Sequence, residues 1–328
     1  MSHIQLSFCI ATLNRAAFIG ETLDSIIDQA TDEVEIVIVD GASTDNTEEV
    51  IRSYQTRFPR INYLRLAEKG GVDQDYSRAV ALAQGDFCWL MSDDDILYPG
   101  AIAAVLAATR RSHDLIVVNA TVRNFDFSES IENQRLPFTE DRVYPPGDMD
   151  RLLAETATYM TFIGCVVIRR SVWEERDKTS YFGTEFIHVG VIFQKALDGG
   201  ALAIAHPWIA IRAGNAAWTS RYFQIWAFKW PNLIWSFPDY ADEVKNQVCP
   251  QAPWRSPKIL LVLRAKGAFG NREYQRFLAD QPMSTKQRWM TRGIALFPGW
   301  LLNPLVLVYF QRFHGSEEFG ISEFQDSP

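Results

Sequence analysis

The fold class is decided by the stretch EIVIVDGASTD, residues 35–45, where four apolar residues lead into an aspartate and small polar residues. A short apolar run that ends in turn-forming residues is typical of a buried β-strand. Similar runs occupy residues 6–11, 61–66, 87–91 and 115–118, and segments with a helical spacing of apolar residues separate them. Strands that alternate with helices predict an α/β fold with a mostly parallel, Rossmann-like sheet and helices on both faces.

This regular alternation stops near residue 120. In chain order, we expect an irregular insertion over 120–160, a strand over 162–168, a helix that begins near Ile187, and short strands over 201–205 and 208–211. Beyond residue 215 the sequence is rich in aromatic residues and indicates a helical region. The predicted organisation is a first domain over 1–214 and a helical, aromatic-rich C-terminal region over 215–328.

Composition and charge exclude several classes of protein. Hydrophobic residues make up 47% of the chain and charged residues 22%, which is ordinary for a globular protein and excludes a mostly disordered chain. The net charge of −8 argues against a nucleic-acid partner. The chain begins almost directly with an apolar strand and without a signal-peptide pattern, so we expect a cytoplasmic protein.

The C-terminal region is unlike the rest in charge. Residues 255–313 hold ten Lys and Arg but only two acids, Glu273 and Asp280. Residues 294–310 are free of charge and apolar, but Pro298 and Pro304 interrupt them. A basic segment that ends in an apolar run favours a helix lying on the inner face of a membrane. The alternative is a C-terminal helix buried against the main domain, and a spanning helix is less favoured at this length.

Polar and acidic residues follow the predicted strands. In an open parallel sheet, ligands bind outside the carboxyl ends of the strands, so these residues predict a site at one edge. The most acidic of them are Asp93, Asp94 and Asp95, three consecutive carboxylates after a buried strand. Hard carboxylate oxygens suit Mg²⁺ or Mn²⁺, and such an ion would also hold a diphosphate. The alternative is a solvated turn that caps the next helix.

The sequence lacks the motifs of several common enzyme classes. No GxGxxG follows the first strand, no GxxxxGK[ST] occurs, and no GxSxG is present. These absences disfavour a dinucleotide-dependent oxidoreductase, a P-loop kinase or ATPase, and an α/β-hydrolase.

Three segments together resemble the family 2 glycosyltransferases of the GT-A fold: residues 7–19, 35–47 and 70–97. The sequence of the third segment, GGVDQDYSRAV followed by CWLMSDDDIL, resembles the abequosyltransferase-like branch, which builds bacterial surface polysaccharides. The resemblance implies a GT-A domain with a nucleotide-binding half over 1–119 and an acceptor half over 120–214.

The resemblance also assigns roles to individual residues. It implies a nucleotide-sugar site formed by Thr12, Asn14, Arg15, Asp40, Ser43, Asp73, Arg78 and Asp93. It places Asp94 at the position of the metal ligand, with Asp95 beside it, and Mg²⁺ or Mn²⁺ as the ion. The resemblance implies that Asp40 contacts the nucleobase. Gly41, the next residue, stands where the family usually has a second acidic residue, which leaves the identity of the nucleobase open.

An inverting transfer needs a general base for the acceptor hydroxyl. In the family this is an acid at the start of a helix, and the matching stretch here is GTEFIHV, residues 183–189. The two candidates are Glu185, which is the acid in this stretch, and His188, because histidine titrates near neutrality. A hydrogen-bonded structural histidine is the alternative for His188.

The predicted function is an inverting glycosyltransferase that uses a nucleotide-diphosphate sugar, and the resemblance to the abequosyltransferase-like branch implies a deoxysugar. Its acceptor would be lipid-linked or an oligosaccharide, in bacterial surface glycan synthesis. A nucleotidyltransferase that makes a nucleotide sugar and a non-catalytic, glycan-binding relative are the two alternatives.

Overall fold

The central element of the fold is a mixed β-sheet with ten strands in the part of the chain that the structure describes. The structure is a computed structural model, and it describes residues 3–215, 221–299 and 301. The strands are β1 Leu6–Thr12, β2 Val34–Asp40, β3 Ile61–Arg65, β4 Phe87–Met91, β5 Ile96–Leu97, β6 Leu115–Arg123, β7 Ser130–Glu132, β8 Arg142–Tyr144, β9 Val166–Arg169 and β10 Ala201–Arg212.

The order of strands along the sheet places the predicted loops at one edge. The order is β3-β2-β1-β4-β9-β6-β10-β5, with β7 beside β6 and β8 beside β10. Strands β3, β2, β1 and β4 are all parallel, as are β6 and β10. Strand β9 is antiparallel to both β4 and β6. Thr12 pairs with Asp40 and Ile10 with Met91, so the carboxyl ends of β1, β2 and β4 lie side by side.

Helices follow most of the strands, as predicted. They are α1 Ile19–Ile27, α2 Thr47–Arg57, α3 Val72–Leu82, α4 Ala101–Thr109, α5 Met149–Thr156, α6 Arg170–Glu174, α7 Ile187–Phe193, α8 Tyr222–Gln224, α9 Trp230–Trp235, α10 Asp242–Val248, α11 Pro257–Ala265, α12 Asn271–Glu273 and α13 Thr285–Leu296. Two π-helical turns, Ile225–Lys229 and Tyr274–Leu278, adjoin α8 and α12. No helix in the described residues has both the length and the apolar composition needed to cross a bilayer.

The chain forms two units. The first comprises Met1–Asn215 and Phe237–Val248, and the second comprises Ala216–Ser236 and Cys249–Pro328. The second unit has its own aromatic core, in which Phe223 stacks on Phe269 with ring centroids 4.8 Å apart. The functions assigned to these regions from the sequence stay predictions.

The structure corrects the prediction in the middle of the chain. The segment 120–160, predicted to be irregular, contains the end of β6, strands β7 and β8, and helix α5. The spacing of apolar residues does not reveal these elements. Strands β7 and β8 have three residues each and α5 has eight, which is too few to show a hydrophobic periodicity. The two strands predicted over 201–211 are one strand, β10, with an irregularity between Ile204 and Ile209. Pro207 lies in that interval, where its missing N–H cannot join the hydrogen-bond ladder.

Trp89 on β4 is a central packing residue of the first unit. Its side chain is fully buried and stacks on Phe8 of β1, with ring centroids 5.0 Å apart. The indole N–H donates a 2.7 Å hydrogen bond to the carbonyl of Gly164. Trp89 therefore joins β1, β4 and the turn that precedes β9.

We expect Trp89→Phe to lower the free energy of unfolding by about 3 kcal/mol, because it opens a cavity and leaves the Gly164 carbonyl unpaired. The change is measured by urea denaturation. Trp289→Phe is the matched control, since Trp289 is 72% exposed and its replacement should cost less than about 0.5 kcal/mol. Equal losses in the two variants would contradict this account of the core.

Candidate active site

The loops after β1 and β2 form one wall of the site and are tied together by Asn14. Its backbone lies in the left-handed region, with φ +56°, which asparagine tolerates better than most residues. The Asn14 N–H donates to the Ser43 hydroxyl at 2.8 Å. The Asn14 side-chain carbonyl accepts from the Thr44 N–H at 2.7 Å. Two residues predicted to bind the nucleotide, Asn14 and Ser43, therefore also shape the loops that would hold it.

Asp40, the predicted nucleobase contact, is fully buried at the end of β2. One of its carboxylate oxygens accepts from the Ser43 N–H at 2.7 Å and the other from the Tyr63 hydroxyl at 2.8 Å. Burial and the hydrogen bond to Asp40 raise the pKa of Tyr63, which keeps the phenol protonated as a donor. Each oxygen of Asp40 retains acceptor capacity, because a carboxylate has about four lone-pair sites.

Arg15 connects the loop after β1 to the aspartates after β4. Its Nε lies 3.4 Å from Asp93 Oδ1 and one Nη lies 3.8 Å from Asp94 Oδ2. The other Nη donates to the side-chain oxygen of Asn215 at 3.1 Å, and Asn215 in turn donates to Asp94 Oδ2 at 2.7 Å. The structure thus brings together residues 15, 93, 94 and 215. Asn215 was not predicted, because nothing near it in the sequence marks it.

Burial raises the pKa of each of the three aspartates at the end of β4. Burial, followed by the charge of Asp94, raises the pKa of Asp93 to about 7. Burial likewise raises the pKa of Asp94, although Arg15 opposes the rise. Burial and then Asp94 raise the pKa of Asp95 to about 8. The Thr12 hydroxyl lies beside Asp93 and works in the opposite direction, lowering its pKa.

Arg212, at the end of β10, is a site residue that the sequence did not reveal. The backbone N–H of Arg212 donates to Asp95 Oδ1 at 2.8 Å, and the side-chain Nε donates to the backbone carbonyl of Asp94 at 3.0 Å. The guanidinium also pairs with Glu21 and lies over the ring of Phe127. Arg212 holds the turn after β4 against β10, and one oxygen of Asp95 is used for this purpose.

The three consecutive aspartates diverge, because adjacent residues in a turn point in different directions. Asp93 faces Arg15, Asp94 faces Asn215, and Asp95 faces the Arg212 amide. Within the described ranges, no group of three or more His, Cys, Asp or Glu side chains is arranged to hold a metal. The carboxylates of Asp93 and Asp94 still suit a divalent cation, since Mg²⁺ is commonly bound by one or two carboxylates together with substrate phosphates.

Helix α3 contributes the residues after the Gly-Gly turn. Asp75 Oδ1 lies 3.3 Å from Arg78 Nη1. A Cβ added at Gly41 would lie 3.0 Å from Asp75 Oδ2, so the Asp75 carboxylate occupies the space next to position 41. Asp73, predicted to touch the nucleotide sugar, instead accepts backbone hydrogen bonds from Gly183, Glu185 and Ile187. Its predicted contact with the donor stays a prediction.

The two candidate bases have different surroundings. Glu185 is partly exposed, in the loop before α7. His188 is 1% exposed inside α7, and its Nε2 lies 2.6 Å from the Met160 carbonyl. Burial lowers the pKa of His188 to about 4, so the ring is neutral near pH 7 and Nε2 is the donor. These surroundings favour the structural alternative for His188.

We expect His188 to make the protein acid-sensitive. An unfolded histidine gains a proton below about pH 6.5, whereas His188 in the fold stays neutral down to about pH 4. Stability present above pH 6.5 is therefore lost as the pH falls toward 4, by up to about 1.4 kcal/mol per pH unit. Between pH 7 and 4.5, His188→Gln should flatten the fall in unfolding free energy, while exposed His3→Gln should leave it unchanged. An unaltered slope in His188→Gln would refute a neutral buried ring.

Comparison with known sequences identifies relatives of this chain. A profile described as "Glycosyl transferase family 2" matches residues 7–176, just over half of the chain. The abequosyltransferase RfbV of Salmonella typhimurium is 29% identical over 225 residues, which cover 64% of this chain and 67% of RfbV. The glycosyltransferase GlyG of Streptococcus pneumoniae is 26% identical over 124 residues, which cover 38% of this chain and 41% of GlyG.

Solved structures share the fold. S. aureus TarS 1–349 in complex with UDP has a TM-score of 0.61 at 13% identity, covering 94% of this chain and 92% of that one. The mannosyltransferase PcManGT of Pyrobaculum calidifontis, in complex with GDP-Man and Mn²⁺, has a TM-score of 0.52 at 18% identity, covering 93% and 88%. These likenesses confirm the predicted GT-A fold. The family profile, which spans the edge formed by Arg15, Asp40 and Asp94, shows that the chain belongs to glycosyl transferase family 2 and is a glycosyltransferase.

Proposed function

We propose that this glycosyltransferase moves a sugar, with inversion, from a nucleotide-diphosphate donor to a lipid-linked or oligosaccharide acceptor in bacterial surface glycan synthesis. The observation that carries the proposal is the pair of carboxylates of Asp93 and Asp94, which lie beside Arg15 at the carboxyl edge of the parallel strands. The similarity to an abequosyltransferase favours a deoxysugar and a role in O-antigen-type synthesis. The complexes of the fold relatives TarS with UDP and PcManGT with GDP-Man support a nucleotide-sugar donor.

The donor would lie across the ends of β1, β2 and β4. Asp40 and the loop carrying Asn14 and Ser43 would hold the nucleoside, and Asp93 would approach the ribose. Mg²⁺ or Mn²⁺, held by Asp94 and the diphosphate, would offset the negative charge on the leaving nucleotide. Arg15, already within 4 Å of both aspartates, would bring positive charge to the same place. We assign to Asp95 the task of fixing the turn through the Arg212 amide.

The acceptor hydroxyl needs a base on the opposite side of the donor sugar. We assign this role to Glu185, because its side chain is partly exposed and it lies in the segment that matches the family's base. The Glu185 carboxylate would take the hydroxyl proton as the oxygen attacks the anomeric carbon and the nucleotide diphosphate leaves. His188 is too deeply buried to reach an acceptor, and its Nε2 is engaged by Met160.

We expect Asp94→Asn to lower transfer at least about 100-fold with the fold intact. Without its carboxylate ligand, the divalent cation that would stabilise the charge on the leaving diphosphate binds poorly, and such electrostatic stabilisation contributes about 3 kcal/mol. Nucleotide release from UDP-, GDP-, CDP- and dTDP-hexoses, with octyl glycosides as acceptors, measures the activity. Thermal unfolding with each free nucleoside diphosphate, with and without Mn²⁺, measures binding. The wild type should gain a few degrees with one nucleotide and Mn²⁺, and Asp94→Asn should lose the Mn²⁺-dependent part.

Glu49→Gln is the control for this experiment, since Glu49 is an exposed acid on α2. It should behave as the wild type in both assays. Full transfer by Asp94→Asn, or an undiminished effect of Mn²⁺ on its unfolding, would refute the assigned metal role.

We further propose that the second unit attaches the enzyme to the inner membrane surface through α13. One face of this helix exposes Lys286, Trp289, Arg292 and Leu296, and Phe297 follows it. Trp289 and Leu296 are 72% and 58% exposed, which is unusual for large apolar side chains. Helix α13 has no acidic residue, so the face suits anionic lipid. Most of the apolar run predicted over 294–310 lies outside the described residues.

We expect Lys286→Gln/Arg292→Gln to weaken binding to phosphatidylglycerol vesicles about thirty-fold, since each cation near an anionic surface contributes about 1 kcal/mol. Trp289→Ala should weaken binding further. Vesicle flotation measures the effect, with neutral phosphatidylcholine vesicles for comparison. Ile131→Ala, which removes an exposed apolar side chain from the first unit, should bind as the wild type does. Equal binding by all variants would exclude α13 as the membrane contact.

A further inference from the structure

We propose that Asp73 is a positioning residue, whose carboxylate holds the loop 183–187 so that Glu185 is aimed at the acceptor hydroxyl. This inference rests on the proposed function, in which Glu185 is the base. It also gives a different task to a residue that the sequence placed among the donor contacts.

The contacts run from the first turn of α3 to a loop more than 100 residues further along the chain. One carboxylate oxygen of Asp73 accepts from the Gly183 N–H at 2.8 Å and the Glu185 N–H at 3.0 Å. The other accepts from the Ile187 N–H at 3.1 Å. Asp73 is 2% exposed, so these bonds are shielded from water. A buried carboxylate that accepts three backbone bonds is a rigid anchor, since bonds to charged groups are the stronger class.

The loop needs such an anchor because its backbone is strained. Gly183 has φ +85°, which glycine accepts, but Glu185 has φ +73°. A left-handed conformation costs a residue with a long side chain about 1 kcal/mol or more, and it persists only when its surroundings impose it. The two bonds from Asp73 to Gly183 and Glu185 span this strained pair.

The remaining N–H groups of the loop are satisfied locally. The Thr184 N–H donates to the Tyr181 carbonyl at 3.2 Å, and the Phe186 N–H donates to the Thr184 hydroxyl at 3.1 Å. Alternate amides, at 183, 185 and 187, therefore converge on Asp73, while those between them bond within the loop. This pattern fixes the direction in which the Glu185 side chain leaves the backbone.

The same turn of α3 also contacts the donor side of the site. The Tyr76 hydroxyl donates to the Met91 carbonyl at 3.0 Å, just before the aspartates after β4. Asp75 lies against Gly41, beside the predicted nucleobase contact. Residues 73, 75 and 76 thus join the base loop to the donor loops within the first unit. A displacement of the base loop relative to the donor loops would misalign the acceptor hydroxyl with the anomeric carbon. A displacement of about 1 Å can lower the rate about 100-fold.

Asp73→Asn is the informative variant because an amide has only one acceptor oxygen. That oxygen can serve Gly183 and Glu185 or serve Ile187, and the amide NH₂ then faces the remaining N–H. We expect kcat to fall about 10- to 100-fold while the KM for the nucleotide sugar changes less than about 2-fold. The assay is the nucleotide release described above, with the donor and octyl glycoside that give the highest turnover.

A double-mutant cycle separates positioning from general stability. Glu185→Gln alone should lower kcat by about 10²- to 10⁴-fold. If Asp73 acts through Glu185, adding Asp73→Asn to Glu185→Gln should cause little further loss. Losses that multiply in the double variant would overturn the proposal, because they would show that Asp73 acts independently of the base.

Hydrogen exchange supplies a readout that needs no substrate. In Asp73→Asn, the amides of 183, 185 and 187 should exchange at least about 10-fold faster, and unchanged rates would overturn the proposal. Asp177→Asn is the matched control, since Asp177 also accepts a backbone bond, from Thr179, but in a separate turn. If Asp73→Asn does not fold, Thr184→Ala removes the partner of the Phe186 N–H and should lower kcat in the wild type but not in Glu185→Gln. A loss of equal size in both backgrounds would overturn the proposal.

The cycle also distinguishes the two proposals from each other. Full activity of Glu185→Gln would refute Glu185 as the base and, with it, the role of Asp73. A large loss of kcat in Glu185→Gln, together with an unchanged kcat in Asp73→Asn, would refute only the positioning role of Asp73.

Discussion

The burial of consecutive carboxyl groups at the end of β4 is the constraint on which the rest of the site depends. Parallel alignment of β1, β2 and β4 brings their carboxyl ends to one edge, and three of the residues there are consecutive aspartates. Arg15 approaches these carboxyl groups from the loop after β1, and Arg212 approaches them from the end of β10. Burial, followed by the charge of Asp94, raises the pKa values of Asp93 and Asp95. The divalent cation and the diphosphate of the proposed donor would lie at these carboxyl groups.

The scaffold around this charge is built from side chains that satisfy backbone groups. Asn14 and Asp40 shape the loops after β1 and β2, Asp73 shapes the loop before α7, and Arg212 fixes the turn after β4. Hydrogen bonds act over short distances and are directional, so each of these bonds fixes the backbone of a loop. Polar residues in a glycosyltransferase site therefore divide into those that would touch the donor and those that position the ones that do.

The departure from the family pattern at Gly41 has a structural counterpart. The Asp75 carboxylate lies 3.0 Å from the position that a Cβ at residue 41 would take, and it is paired with the Arg78 guanidinium at 3.3 Å. An acidic group is thus present next to Asp40, but it comes from α3 rather than from the loop after β2. Similarity in sequence to the abequosyltransferase and likeness in fold to TarS and PcManGT are compatible with different chemistry at this point, because the fold fixes the edge and not the side chains on it.

The sequence by itself determined the order of strands and helices in the first 120 residues, apart from the two-residue strand β5, and hence the sheet edge that carries Arg15, Asp40 and Asp94. Apolar runs and their polar ends are local patterns, and parallel strands have only one way to place their carboxyl ends. The tertiary structure alone decided that the three aspartates diverge, that Asp73 holds the Glu185 loop, that His188 is buried, and that Arg212 joins the site. These outcomes depend on contacts between residues as many as about 120 positions apart and on the direction of each side chain in a turn, and neither quantity is encoded in local spacing.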